Sequence, residues 1–343
     1  MKIKNIIVFI AIGLIAFNSC NRDEIFNREQ HKTTVGIKSS GAYNIFEQIF
    51  QYSDIEAAEE KQEWIKGSIS VNVGGALETD RPIVLEFVVD ESLVENYNKN
   101  NYFTDSYKYA QMLPRDRYQI ENYSVVIPAG QRNTNVEIFL RLDGLTNDTV
   151  YFLPLRIASS SSYELIQNKS TVLFRPRFRN KFVETADNVS YRQIAQWARY
   201  SAPLVYYDAN VSKQVYPISS NKIRFYVGKL PWVAADVNTK NIFQKSITLT
   251  IADQPDDKGQ YQVEFDSYDL PERGVRWRLV DEGTGPFEEF YNNKYELWFD
   301  GFENYYHTFR LYYEYWDNVT EGTAQWIRIK EELRIQHQIK IPK

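Results

Sequence analysis

From Trp64 onward the chain alternates apolar and polar residues two by two, with a turn signal every dozen or so positions. That period puts every second side chain on one face of an extended strand, so it predicts antiparallel sheets joined by short turns. Ile69, Val71 and Val73 alternate with Ser70 and Asn72 and end at Gly74-Gly75. Ile83, Leu85, Phe87 and Val89 form the next strand, after which Asp90 is placed to cap a short helix with Leu93 and Tyr97 on one face. Residues 123–127, Pro128-Ala129-Gly130-Gln131 and residues 136–140 read as strand, turn, strand, and Leu142-Asp143-Gly144 turns the chain into residues 151–157. Pro154 inside that last run predicts an edge strand or a bulge. The spacing fits an immunoglobulin-like β-sandwich over residues 42–176.

The 343 residues exceed the ~250–300 at which one hydrophobic core stops growing, so a second module is expected. Arg175-Pro176-Arg177-Phe178-Arg179-Asn180-Lys181 reads as the basic joint before it. Within 181–343, residues 190–200 read as a short helix burying Ile194, Trp197 and Ala198. Alternating strands follow around Phe225, Leu249, Val263, Trp277, Leu297, Tyr313 and Ile327, with turns at Asp256-Asp257-Lys258-Gly259 and 281–285. Seven or eight antiparallel strands in a meander curl shut because closure removes exposed edges. The fold class is therefore all-β and mainly antiparallel: a sandwich followed by a lipocalin-like barrel, or by a second sandwich, with one short helix.

The N-terminus carries an address. Lys2 and Lys4 precede an apolar run over residues 6–17, and Asn18-Ser19-Cys20 follow at once. Twelve apolar residues make a helix of about 18 Å, short of the ~30 Å membrane core, so residues 1–19 read as a signal peptide. Cys20, the sole cysteine, stands where a lipoprotein signal places its acylated residue, with a tether over 20–41. Removal of the two lysines takes the net charge from −5 to −7. Acyl chains contribute ~0.8 kcal/mol per buried CH₂, which anchors a multiply acylated cysteine without a spanning helix.

An acidic chain with pI near 5.5 is no nucleic-acid binder working through a basic face. One cysteine excludes disulfide scaffolds and zinc ribbons. His31, His307 and His337 read as structural or exposed, and no His-based metal or triad site is expected. Carboxylates such as Glu264, Asp266, Glu288, Glu289, Glu296, Asp300 and Glu314 are plentiful but carry no spacing that marks a glycosidase pair. Asp253, Asp256 and Asp257 around Gly259 lack the ligand spacing of a calcium loop and read as a hairpin turn. No catalytic residue, metal or cofactor is assigned.

Aromatic residues are the remaining signal. Six of the seven tryptophans lie in 181–343. Trp277 shares its phase with Val275 and Leu279 and is expected in the core. Trp298 alternates with Glu296 and Asp300, Tyr312 and Trp316 with Arg310 and Glu314, and Trp326 with Arg328, which sets all four on the polar face. Trp232 follows Pro231 in a loop-like position. Aromatic faces stack on the C–H side of a pyranose while neighbouring polar groups bind hydroxyls, so Trp232, Trp298, Tyr312, Trp316 and Trp326 are the candidate ligand-binding residues.

Three strings add a family resemblance: residues 89–98 (VDESLVENYN), Val126-Ile127-Pro128-Ala129-Gly130 and Tyr151-Phe152-Leu153-Pro154-Leu155. Together with Leu113-Pro114 and Tyr118, they resemble the N-terminal β-sandwich module, of unknown function, in Bacteroidota outer-membrane lipoproteins of polysaccharide-utilisation systems. The second half, with Trp197 and Tyr312-Tyr313-Glu314-Tyr315, resembles the uncharacterised partner module. Asn21-Arg22-Asp23-Glu24 is similar to the export signal of surface lipoproteins in the same group. The resemblance implies a non-catalytic lipoprotein at the cell surface that binds a glycan, anchored in the outer membrane and working beside uptake-complex proteins. The alternatives are a structural or assembly lipoprotein contacting other outer-membrane proteins, and a glycoside hydrolase or lyase.

Overall fold

The alternating segments form two β modules in the computed structural model, which describes residues 31–75, 78–184, 189–199, 203–230, 240–268, 274–280, 290–302, 304–317 and 324–337. The leader, Cys20, Trp232 and the 281–285 turn lie outside the described residues. Among the described residues, no helix is long and apolar enough to cross a membrane.

The first module runs β1 (Thr34–Ile37), β2 (Ile45–Gln51), α1 (Tyr52–Lys61), β3 (Ile65–Gly74), β4 (Ile83–Val89), α2 (Ser92–Tyr102), β5 (Gln111–Met112), β6 (Tyr118–Gln119), β7 (Ser124–Ile127), β8 (Asn133–Leu140), β9 (Tyr151–Ser160), β10 (Glu164–Leu165) and β11 (Thr171–Arg179). One sheet has the order β10-β1-β3-β8-β6, the other β2-β11-β9-β4-β7. Their inner faces meet through Ile69, Val71, Val136 and Ile138 from one side and Leu85, Leu153, Leu155 and Phe174 from the other, all buried. The opposite face of β9 is covered by α2, where Tyr97 meets Phe152 edge to face at 4.9 Å.

Four local expectations change here. The sandwich begins at β1, inside the segment read as a tether, because Val35 and Ile37 are core residues. Pro154 sits in a central strand: its carbonyl accepts the Asp90 N–H just past the end of β4, so its missing N–H falls where no partner strand continues. The basic joint is no linker but the end of β11. Phe174, Pro176 and Phe178 face inward there, while Arg175 and Arg177 face outward and pair with Glu47 on parallel β2. Asp90 does not cap α2 through its side chain; its carboxylate accepts from Ser92 Oγ at 2.6 Å and Arg156 Nε at 2.8 Å.

The second module contains β12 (Val189–Arg199), β13 (Tyr206–Ala209), β14 (Ser212–Pro217), β15 (Lys222–Tyr226), α3 (Lys240–Lys245), β16 (Ser246–Ile251), β17 (Tyr261–Ser267), β18 (Trp277–Leu279), β19 (Lys294–Phe299), β20 (Tyr305–Asp317) and β21 (Gln325–Gln336). Strands β12, β14, β15, β16, β17, β19, β20 and β21 pair in that order, and β21 pairs back onto β12 from Arg192↔Arg334 to Arg199↔Ile327. The barrel is closed, with eight antiparallel strands, which decides between the barrel and the second sandwich.

The segment expected to be a helix is thus the closing strand β12. Tyr191 and Ala195 point inward, whereas Ile194, expected in the core, is exposed. Among the described residues, the short helix of this module is α3 instead. Trp277 packs partly buried on the barrel core against Phe265, but Leu279, in the same phase, is exposed.

Side chains pack the barrel interior, among them Phe225, Leu249, Phe309, Leu311, Tyr313, Tyr315 and Ile329. Gly228, at φ +56°, lets the chain cross this interior where any Cβ would overlap the Tyr315 ring. An ion pair lies inside: Lys213 Nζ stands 2.6 Å from Glu331, which also accepts from Tyr313 Oη at 2.6 Å and from Gln193. The modules meet through Arg224 and Asp148, through Asn180 Nδ2 donating to Ser219 O at 2.7 Å, and through Glu56 accepting the Ser220 N–H at 2.8 Å.

Candidate functional site

A cleft of about 800 Å³ opens where the two modules join, lined by Gln51 and Ser53 at the β2–α1 junction, Arg179 to Lys181, Glu184, Ser220 and Asn221, Asp253 and His337. Its lining residues are all polar or charged because they end strands or turn between modules, where the backbone leaves both sheets. Arg179 Nη1 donates to the Glu184 carbonyl at 3.1 Å, and Asn180 Oδ1 accepts the N–H groups of Phe182 and Val183, which fixes this wall of the cleft.

At its floor three side chains from distant segments converge. His307 on β20 and His337 just after β21 place Nε2 and Nδ1 3.0 Å apart, and Glu184 Oε1 lies 3.0 Å from His337 Nδ1 and 3.8 Å from His307 Nε2. Tyr295 Oη holds the other nitrogen of His307, Nδ1, at 2.8 Å. Burial, with the neighbouring His337 and Lys181 charges, pulls His307 down to about 4, so its imidazole is neutral at physiological pH. Sequence reasoning gave these histidines no joint role and did not single out Glu184. Their only advance signal is that two of the three histidines fall on or next to the last two strands of the chain.

Beyond this floor the β19–β20 hairpin runs past the barrel rim. His337 donates its backbone N–H to Tyr305 O at 2.7 Å, and Leu297 stands opposite His307, so the hairpin starts where the cleft lining ends. Inward-phase residues that would be core lower down are bare here: Leu297 is 42% exposed, Phe299 47% and Tyr305 36%, with Phe302 in the turn at 84%. Phe299 and Tyr305 lie 4.9 Å apart across the strands. On the other face Trp298 meets Tyr306 at 5.7 Å, with the Arg334 guanidinium 4.2 Å over the indole. Phe299, Phe302, Tyr305 and Tyr306 were not picked from the sequence. Their signal is a strand that keeps alternating after its partners have stopped.

The other candidate rings fall elsewhere. Trp316 and Trp326 are cross-strand partners, edge to face at 5.6 Å, with Arg276 4.4 Å over Trp316 and Arg278 4.3 Å over Trp326. This pair lies at the far end of β20, ten residues or about 33 Å from Tyr306 at ~3.3 Å per residue. Between the two stations the same face is a charged ladder, Arg310 with Glu332 and Glu296, then Glu314 with Arg328 and Arg278. Tyr312, in that row, has the expected phase but is buried, with Lys330 5.0 Å from its ring centre. The structure therefore brings Trp316 and Trp326 together, sets Trp298 apart with Tyr306, and encloses Tyr312. Asp253 lines the cleft, whereas Asp256 Oδ1 accepts the N–H groups of Lys258 and Gln260 as a hairpin turn does.

Comparison with known proteins agrees with this architecture. A family model described as an N-terminal domain matches residues 30–164, and one described as C-terminal matches residues 205–334. No curated protein matches the chain. Among solved structures, a Bacteroides ovatus protein of unknown function is similar at a TM-score of 0.64 and 16% identity, over 88% of this chain and 94% of that one. A second from the same organism, also of unknown function, gives 0.58 and 15%, over 92% and 93%. An auxiliary nutrient binding protein from Bacteroides thetaiotaomicron gives 0.56 and 13%, over 87% and 93%. The chain is thus similar to an N-terminal domain family over its first module and to a C-terminal one over most of its second, and it shares the fold of solved Bacteroides proteins.

Proposed function

We propose that the chain is a non-catalytic surface lipoprotein, held in the outer membrane through acylated Cys20, that binds a glycan along the rim of its barrel. The observation that carries the reading is the β19–β20 hairpin, which holds two aromatic pairs, Phe299 with Tyr305 and Trp298 with Tyr306, beside a polar cleft. Phe299, Phe302 and Tyr305 are exposed side by side while Trp298 and Tyr306 are half-buried, and a contiguous exposed aromatic patch marks an interaction surface as a single scattered ring does not. Rings flanked by Arg334 and by the amide and acid groups of the cleft match a sugar, which has an apolar C–H face and a hydroxyl edge. Trp316 and Trp326, with Arg276 and Arg278, supply a second station of the same chemistry. The similarity in fold to an auxiliary nutrient binding protein supports the reading.

Affinity electrophoresis against a panel of polysaccharides tests it. Retardation by at least one glycan, lost in Phe299→Ala/Tyr305→Ala, is expected. No retardation by any polysaccharide, with capture of outer-membrane proteins that depends on Phe299 and Phe302, would replace it with the assembly-lipoprotein reading, which the bare Leu297 and Phe302 favour. Sugar release abolished by one Glu or Asp change would show an enzyme. Acylation and export are read separately, by lipid labelling of the wild type and of Cys20→Ala.

A further inference from the structure

We propose that Glu184, His307 and His337 form a binding site for a divalent d-block cation of the zinc class. Proton bookkeeping motivates the assignment. The Nδ1 atom of His337 has a single in-plane site, yet it faces both His307 Nε2 and Glu184 Oε1 at 3.0 Å. Whichever ring carries the proton, that one site cannot serve both contacts, whereas a cation between the three atoms satisfies three lone pairs at once.

The size fits as well. Tetrahedral coordination at 2.0–2.1 Å separates neighbouring ligand atoms by about 3.3 Å. The three separations here are 3.0, 3.0 and 3.8 Å, which bracket that edge. Tyr295 Oη fixes His307 from behind through Nδ1, the outer-shell contact that orients a metal-binding imidazole and sets its tautomer. Phe182, edge to face with both Tyr295 and His307, walls the site on the barrel side. Because Glu184 and His337 line the cleft, the fourth coordination position faces it, free for water or a ligand oxygen. Two imidazoles and one carboxylate select zinc, nickel or copper over calcium or magnesium, which take all-oxygen sets.

The site ties the intermodule segment to the two longest barrel strands, and its existence does not depend on the carbohydrate reading. Chelator-treated protein titrated with zinc chloride by calorimetry tests it, with cobalt(II) absorption in the visible region reporting four-coordinate geometry. One equivalent per chain is expected, with at least a tenfold loss of affinity in Glu184→Gln and in His337→Ala, both only half-buried, and unchanged binding in His31→Ala. His307→Ala removes a buried ring, so its circular dichroism is compared with wild type before its titration is read. Absence of saturable zinc binding, or affinity kept within twofold in both Glu184→Gln and His337→Ala, overturns the site. Polysaccharide retardation of the chelated protein is a separate readout, so failure of one assignment leaves the other standing.

Discussion

Arg224, on the outer face of β15, reaches across the module boundary to pair with Asp148, and its guanidinium lies 4.1 Å over the ring of Tyr216. Tyr268 Oη donates to the same carboxylate, and Arg224 is 1% exposed. Breaking a buried pair by removing one partner leaves an uncompensated charge and costs about 3–5 kcal/mol. Arg224→Met is therefore expected to lower stability by that order and to split one calorimetric transition into two, as the modules uncouple. Arg224→Met/Asp148→Leu recovers much of the loss. A single variant within about 1 kcal/mol of wild type would show that other contacts hold the modules together.

Inside the barrel the charge problem is sharper, since Lys213 and Glu331 are both almost fully buried. Lys213→Met leaves the Glu331 carboxylate to Tyr313 and Gln193 alone, and the expected cost is again about 3–5 kcal/mol in urea unfolding. Adding Glu331→Gln removes the orphaned charge while keeping an acceptor for Tyr313, so the double variant is expected to be the more stable of the two. The reverse order would mean that the Lys213 ammonium contributes more through the Phe225 ring, 4.8 Å beneath it, than through Glu331.

These interior polar groups also explain what was legible in the sequence. Ile247, Leu249 and Ile251 alternate cleanly and form β16, as do Ile223 and Phe225 in β15. In β12 the inward row holds Gln193, which donates to Gly228 O at 3.0 Å, so the apolar row is interrupted. What remains visible there, Ile194, Trp197 and Ala198, has helical spacing by coincidence. Phase placed Trp298, Trp316, Trp326 and Tyr312 on the outer face, but it carries no information on which ring neighbouring side chains cover, hence the burial of Tyr312. The cleft was illegible for a different reason. His307 and His337 meet through the β20–β21 hairpin, but Glu184 joins them only because β21 closes onto β12, a relationship that no local pattern encodes.

Asp256 offers a pH test of the β16–β17 hairpin. The Lys294 ammonium and the Gln260 and Lys258 N–H groups hold its carboxylate at about 2. A carboxyl whose folded pKa lies below its unfolded value of about 3.9 adds stability above that value and loses it as pH falls through the lower one. Carbon-detected NMR is therefore expected to show Asp256 titrating near pH 2 in the wild type. Lys294→Ala raises that midpoint toward, but not beyond, the unfolded value, because the two backbone donors remain. A midpoint unmoved by the substitution would mean that Lys294 does not reach Asp256 in solution.

The two aromatic stations make a prediction about ligand length. Trp298 with Tyr306 and Trp316 with Trp326 stand at opposite ends of one face of β20, about 33 Å apart at ~3.3 Å per residue. A polymer that spans both engages the second station intramolecularly, and such linkage raises avidity by about 10²–10⁴ over either site alone. Long chains are then expected to bind far more tightly than short oligosaccharides of the same sugar. Trp298→Ala and Trp326→Ala each bring the polymer down toward the oligosaccharide affinity, while binding of the short ligand falls only for the station that is removed. The stability cost of either change stays near the ~0.2–1 kcal/mol of a cross-strand pair. Calorimetric titration with a size series checks this, and equal affinity for short and long chains, with Trp326→Ala silent, would confine the ligand to the hairpin and the cleft.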